Sequence, residues 1–164
     1  MKKLYDTALS KANIKPTDIV LDAYCGVGTI GLYLAHMAKE VVGIEYNKDS
    51  VVAANENAKI NNIKNANFLQ GDAKELLPKM LKDGQVFDVL VVDPPRTGLG
   101  EEFINTILET EVPRIVYASC NPATLAKDLE LLTKKYKINY MVPLDMFPQT
   151  AHVETVCLLS KVEK

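Results

Sequence analysis

Apolar runs of strand length alternate with amphipathic stretches of helix length along this chain, and that alternation predicts a parallel sheet with helices on both faces. The expected strands are Ile19–Ala23, Glu40–Glu45, Ala66–Gln70, Phe87–Val92, Arg114–Ala118, Ile138–Leu144 and Val153–Leu159, seven in all. The expected helices are Leu4–Asn13, Thr29–Ala38, Asp49–Asn61, Ala73–Leu81, Glu101–Glu109 and Pro122–Tyr136. Asp49, ahead of Ser50-Val51-Val52, and Asn121, ahead of Pro122, read as helix caps. Too few residues separate the last two strands for a crossover helix, so Tyr140–Leu144 and Val153–Leu159 should pair as an antiparallel hairpin at one edge of the sheet. At 164 residues the chain has the usual size of one domain, with no repeat or internal linker.

Several classes of protein fall away early. No stretch approaches the roughly 18 uninterrupted apolar residues of a membrane span, and Met1-Lys2-Lys3-Leu4-Tyr5-Asp6 lacks the apolar centre of a signal peptide, so a cytoplasmic protein without membrane partners is expected. Cys25, Cys120 and Cys157 are odd in number and far apart, with only His36 and His152 to supplement them; neither a disulfide framework nor a metal site is expected. A formal charge of −2 supplies no basic footprint for nucleic acid, so any grip on RNA must lie largely elsewhere.

The first strand runs into Ala23-Tyr24-Cys25-Gly26-Val27-Gly28-Thr29-Ile30-Gly31 ahead of a helix, a turn in which glycines admit close backbone approach to a nucleotide-like ligand. Gly26, Gly28 and Gly31 satisfy G-x-G-x-x-G, and Glu45 follows Gly26 by 19 residues, where an acid could bind ribose hydroxyls or simply face water. NAD and S-adenosylmethionine both suit this pattern. Asp22 separates them, because a carboxylate beside the turn repels a pyrophosphate and tolerates a sulfonium carrying an ammonium. After the third strand, Asp72 in Gly71-Asp72-Ala73 either accepts a bond from an adenine amino group or only caps a helix.

Two further turns carry chemistry. The fourth strand ends in Asp93-Pro94-Pro95-Arg96-Thr97-Gly98, where two prolines stiffen a polar edge. A related Asp-Pro-Pro-aromatic turn occurs in enzymes that methylate adenine amino groups, but Arg96 stands at the aromatic position and argues against stacking an adenine. The fifth strand delivers Ser119-Cys120-Asn121-Pro122, and a thiol at a helix start is placed where the reactive thiolate is favoured. Cys25 and Cys157 read as small buried apolar residues. Glu154 interrupts the apolar start of the last strand, as a general base facing a pocket or as an edge charge facing water.

Together these segments resemble the RNA uracil-5-methyltransferase family, which modifies ribosomal and transfer RNA. The resemblance covers nearly the whole chain and rests on LDAYCGVGTIGL, VVGIEYNKDSVVAANENAK, DVLVVDPPRTGL, YASCNPATLAKDL and FPQTAHVETV in the family's order. It implies a Rossmann-like class I methyltransferase fold of the α/β class, with S-adenosylmethionine as cofactor and S-adenosylhomocysteine as product. It also implies roles: Cys120 as nucleophile, Glu154 as general base, and Tyr24, Gly26, Gly28, Thr29, Glu45, Asp72 and Asp93 at the cofactor, Asp93 also near the target base. The substrate it implies is uridine in RNA, ribosomal before transfer RNA. Family members carry an RNA-binding barrel, a central insert and a Phe-x-Gln segment upstream, so residues 1–164 read as one catalytic domain, the C-terminal part of a longer protein.

The implied chemistry explains the residue types. Carbon 5 of uracil is too weak a nucleophile to attack a methyl sulfonium, so Cys120 would first add to carbon 6 and form an enolate; after transfer, Glu154 would remove the carbon 5 proton as the cysteine leaves. The base must first be extruded from structured RNA. An NAD-linked oxidoreductase and a non-catalytic S-adenosylmethionine-binding module are the competing readings, and adenine amino-methylation would leave Cys120 without a task.

Overall fold

The computed structural model describes Asp6 and residues 9–144 and 153–163. Most of the expected helix Leu4–Asn13 is either outside these residues or not helical within them, and Phe147–His152 of the last motif also lies outside them. The packing divides the chain into two compact units, Ile14–Val92 and a second made of Met1–Asn13 with Asp93–Lys164.

The first unit alternates β1 (Ile19–Ala23), α1 (Thr29–Ala35), β2 (Glu40–Glu45), α2 (Lys48–Ile60), β3 (Ala66–Gln70), α3 (Ala73–Lys82) and β4 (Val89–Val92). Its strands pair in the order β3-β2-β1-β4, all parallel, with Ala23 opposite Ile44 and Val92, and Glu45 opposite Gln70. Every carboxyl end therefore reaches one edge, where open α/β sheets bind ligands. Val20, Leu21, Val89, Leu90, Val91 and Val92 are all fully buried, so successive side chains on both faces are covered and the strands read as unbroken apolar runs. At the outer strand, the Asn55 carboxamide of α2 donates to the Phe68 carbonyl at 2.9 Å and accepts from the Phe68 amide at 3.3 Å.

The second unit holds α4 (Glu101–Glu109), β5 (Arg114–Ser119), α5 (Pro122–Leu132), β6 (Tyr136–Leu144) and β7 (Glu154–Lys161). Here β7 pairs antiparallel with β6, as the missing crossover required, and also antiparallel with β5 on its other side. The four parallel strands of the first unit and the antiparallel β5-β7-β6 set of the second give the mixed, mostly parallel strand content with a C-terminal antiparallel hairpin expected from the alternation. Among the described residues no helix is long and apolar enough to cross a membrane, and no group of three or more His, Cys, Asp or Glu could hold a metal ion.

Element bounds differ from expectation where a side chain competes with the backbone. The fourth strand starts at Val89 rather than Phe87, because the Asp88 carboxylate takes the Ile19 amide at 2.8 Å while its own amide donates to the Ile19 carbonyl at 2.9 Å. Asn47, not Asp49, caps α2 by accepting from the Ser50 amide at 3.0 Å; Asp49 sits in the first turn, where its charge still suits the helix dipole. The expected helix Pro122–Tyr136 stops at Leu132, and Tyr136 opens β6 instead. Its spacing from Leu125, Leu129 and Leu132 continues a helical stripe, yet its hydroxyl donates to the Val112 carbonyl at 2.8 Å and its backbone pairs with Lys161. The last strand runs Glu154–Lys161 rather than Val153–Leu159.

Candidate active site

The glycine turn after β1 is built by backbone geometry. Tyr24, Gly26 and Gly28 all adopt positive φ, at 63°, 53° and 84°. For Tyr24 this conformation costs about 1–2 kcal/mol, strain of the kind that persists where the surrounding structure enforces it. The Glu45 carboxylate enforces it here, with one oxygen accepting from the Gly26 amide at 3.0 Å and the other from the Asn47 amide at 2.8 Å. The two residues expected to share a ligand are thus joined directly.

The three glycines of the motif do different work. A Cβ on Gly26 would meet nothing within 4 Å, so space lies over that backbone. On Gly28 a Cβ would lie 2.9 Å from Phe68, and on Gly31 it would lie 2.9 Å from the Asp22 carboxylate and 3.2 Å from Phe68. Gly43 of β2 completes the enclosure, its notional Cβ only 2.2 Å from the same ring. Gly28 and Gly31 therefore serve packing, and Gly26 leaves the opening. Sequence reasoning passed over Phe68; its signal was an aromatic in a strand flanked by elements rich in glycine.

Asp22 is 1 % exposed, beneath the turn rather than at its surface. Burial first, then the negative charges of Asp22 and Glu45, drive the Cys25 thiol well above its ordinary range. Burial likewise pushes Cys157 up to about 11, so both are inert neutral thiols as expected. Thr29 opens α1 on the exposed side of the turn, and Asp72 follows β3, where its carboxylate caps α3 by accepting from the Lys74 amide at 2.9 Å.

In the second unit, the antiparallel register sets Ser119 opposite Thr155 at the end of β5. One step further along both chains stand Cys120 and Glu154, so the pairing brings this thiol and this carboxylate to the same end of the hairpin strands. Asp93 joins them. Burial, and secondarily the charge of Glu154, push its carboxyl up to about 6. A pair of carboxyl groups in one shielded place resists carrying two charges.

That has a measurable cost. Because the folded pKa lies above the ordinary 3.8, the folded state holds the proton longer than the unfolded chain, and stability falls as pH rises from about 4 through about 6. Asp93→Asn removes the penalty. Denaturant unfolding at pH 7.5 should show the variant more stable by on the order of 1–3 kcal/mol, with a flatter profile between about pH 4 and 6. A variant no more stable than the parent at pH 7.5 would show that Asp93 is not held against its preference.

The turn carrying Asp93 is tied to the segment carrying Cys120. Asn121 caps α5 through Oδ1, accepting from the Ala123 amide at 3.1 Å, while Nδ2 donates to the Arg96 carbonyl at 3.0 Å. The Thr124 hydroxyl lies 3.2 Å from that carbonyl. Deeper in the unit, Asp128 is 6 % exposed and its Oδ2 accepts from the Tyr117 hydroxyl at 2.5 Å and the Leu99 amide at 2.8 Å. Gly98, at φ 82°, is the residue that lets this carboxylate approach, since a Cβ there would lie 2.7 Å from it.

The strand–glycine turn–helix opening, the acid ending the second strand and the antiparallel last strand define the class I S-adenosylmethionine-dependent methyltransferase fold. TrmN from Thermus thermophilus shares that fold at a TM-score of 0.75 and 21% identity, over 97% of this chain and 48% of its own. Over residues 1–162 the chain matches the tRNA (uracil-5-)-methyltransferase family, and it belongs to that family. It is 53% identical over 159 residues to an "Uncharacterized RNA methyltransferase" of Enterococcus faecalis, covering 96% of this chain and 35% of that protein. A second protein of that description, from Lactobacillus johnsonii, is 50% identical over 99% of this chain and 36% of its own length. The chain thus spans about a third of these relatives. It is also similar to the Pyrococcus abyssi tRNA (uracil-54, C5)-methyltransferase, solved in complex with S-adenosyl-L-homocysteine: 34% identity and a TM-score of 0.78, over 96% of this chain and 38% of that one. Family membership leaves the NAD-linked reading without support.

Proposed function

We propose that this chain is a catalytic domain that transfers a methyl group from S-adenosylmethionine to carbon 5 of a uridine in RNA through a covalent cysteine adduct. The observation that carries the proposal is the β5–β7 register, which sets Cys120 and Glu154 at one strand end, with Asp93 close enough to feel the charge of Glu154. An adenine amino-methyltransferase would need no such thiol.

The first unit suits the cofactor. The open space over Gly26 admits a ligand against the backbone, and the acids at the carboxyl ends of these strands, Glu45 beside Gly26, Asp72 after β3 and Asp22 beneath the turn, repel a pyrophosphate but accommodate ribose hydroxyls, an ammonium and a sulfonium. When bound, S-adenosylmethionine supplies an electrophilic methyl group. Glu45 holds the ribose hydroxyls through the lone pairs left after its two backbone bonds, and Asp72 does the same for the adenine amino group while capping α3. Glu45→Ala loses both the hydroxyl contacts and the clasp on the turn, and calorimetry should show affinity weakened by about 1–3 kcal/mol. Unchanged affinity would remove Glu45 from the site.

The chemistry rests with the second unit. Cys120 adds to carbon 6 of the extruded base, which makes carbon 5 nucleophilic; once carbon 5 is methylated, Glu154 takes its proton and the thiolate departs. Asp93, its carboxyl pushed up to about 6, keeps a proton into a pH range where an ordinary carboxylate has lost it, and in that form can donate a hydrogen bond to a uracil carbonyl. The experiment is mass spectrometry of ribosomal and transfer RNA after incubation with labelled cofactor and the protein at the full length of its relatives. A labelled 5-methyluridine in either RNA supports the proposal and names the substrate; label on adenine, or none, refutes it.

A further inference from the structure

Beyond the groups that would touch the base, we infer that Asn121 and Thr124 are positioning residues, which use the Arg96 carbonyl as a common anchor to hold the Asp93 turn in register with Cys120. The inference rests on the proposed covalent mechanism, since it concerns the placement of that mechanism's nucleophile.

The Asp93-Pro94-Pro95-Arg96 turn is short of backbone donors. Its two prolines carry no amide hydrogen, and within it the Gly98 amide donates back to the Pro95 carbonyl at 2.9 Å. Ties from the neighbouring helix help to locate it within the unit. Asn121 spends its acceptor on capping α5 and its donor, at 3.0 Å, on Arg96. The Thr124 hydroxyl has one hydrogen to share between the Arg96 carbonyl at 3.2 Å and the Asn121 carbonyl at 3.1 Å. A second, buried tie runs from Asp128 to Leu99 at 2.8 Å.

Asn121 directly follows Cys120 and Arg96 lies three residues after Asp93, so each anchor sits next to a reacting group. The cap alone would be served as well by Asp or Ser. Only an amide both accepts from Ala123 and donates to a carbonyl. That second bond contributes little to a half-buried helix start, and its consequence is geometric: it sets the spacing between the thiol and the Asp93 carboxyl. Misplacement of reacting groups by an ångström costs far more in rate than in stability.

The variant Asn121→Asp keeps the cap and replaces the donor with a charge that the Arg96 carbonyl repels. In the full-length protein, with 5-fluorouridine RNA and S-adenosylmethionine, the rate of covalent complex formation should fall by at least about 10-fold. Melting temperature and cofactor affinity should stay at the parent values. Thr124→Val should slow the same step and Thr124→Ser should restore it, which keeps the test decisive if the aspartate variant folds poorly. An unchanged rate in both Asn121→Asp and Thr124→Val overturns the inference, and so does a loss that tracks melting temperature, which would mark the pair as merely structural. Cys120→Ala, run alongside, separates the two levels: complex that persists there refutes the mechanism itself, whereas complex lost there but unaltered in Asn121→Asp refutes only the positioning role.

Discussion

If the proposed mechanism holds, a covalent protein–RNA complex should accumulate on RNA carrying fluorine at carbon 5, and Cys120→Ala should abolish it and lower turnover on ordinary RNA by roughly 10³-fold or more. Fluorine cannot leave as a cation, so a substrate that has been attacked and methylated stalls with the enzyme attached. Glu154→Gln divides the reaction at a different point. Addition and methyl transfer remain open, but no carboxylate receives the carbon 5 proton, and adduct should build up on unmodified uridine RNA, visible as a band stable to denaturing electrophoresis. Methylation that survives Cys120→Ala would point to direct transfer, and release at the parent rate in Glu154→Gln would pass the base role to another group. Asp93 is the nearest alternative, since its carboxyl already responds to the charge of Glu154.

Phe68→Ala should be the most damaging single change to the first unit, at about 3–5 kcal/mol, the range for deleting a buried aromatic. The ring is 3 % exposed and packs with Cys25, Val51, Ala54 and Ala58, while Gly28, Gly31 and Gly43 press against it from elements on either side. Its loss empties the space on which the glycine turn rests. Cofactor affinity should therefore fall together with the urea midpoint, which separates this variant from Glu45→Ala, where affinity falls and the midpoint changes less. Gly43→Ala approaches the same place from the other side: a methyl 2.2 Å from a ring that cannot withdraw should cost about 1–3 kcal/mol through overpacking. A Phe68→Ala midpoint within experimental error of the parent would mean that the turn is held by Glu45 alone.

The parts of the site that could be read in the sequence are those whose signal is local. A strand, a glycine turn and an acid at the next strand end follow one another in the chain, and an antiparallel last pair follows from the lack of room for a crossover; the β5–β7 pairing that brings Cys120 and Glu154 to one strand end joins segments far apart in the chain and had no such local signal. The bounds that shifted did so because side chains replaced backbone partners, as Asp88 does for Ile19 and Tyr136 for Val112. Asp128 escaped notice because a charge between Lys127 and Leu129 looks solvated, although its spacing from Leu125 and Leu132 places it on the buried stripe of α5. The second bond of Asn121 had no local signal at all. Its cap was legible in Asn121-Pro122, but its donor reaches a carbonyl 25 residues away, and only the folded unit brings the two together.

The bond pair between Asn55 and Phe68 also bears on the open side of β3. An outer strand with free amides and carbonyls is a template on which another chain can add a strand, and parallel edges of this kind have no hairpin partner to close them. Asn55 answers that hazard with a side chain: its carboxamide presents to Phe68 the same donor and acceptor that a neighbouring peptide would offer, at 2.9 and 3.3 Å, in the middle of β3. A helix residue thus impersonates one residue of an eighth strand, and an incoming chain finds its central rung already taken. The same asparagine anchors the backbone of the residue whose ring supports the glycine turn, so the cover on this edge and the support beneath the ligand turn share a single amide.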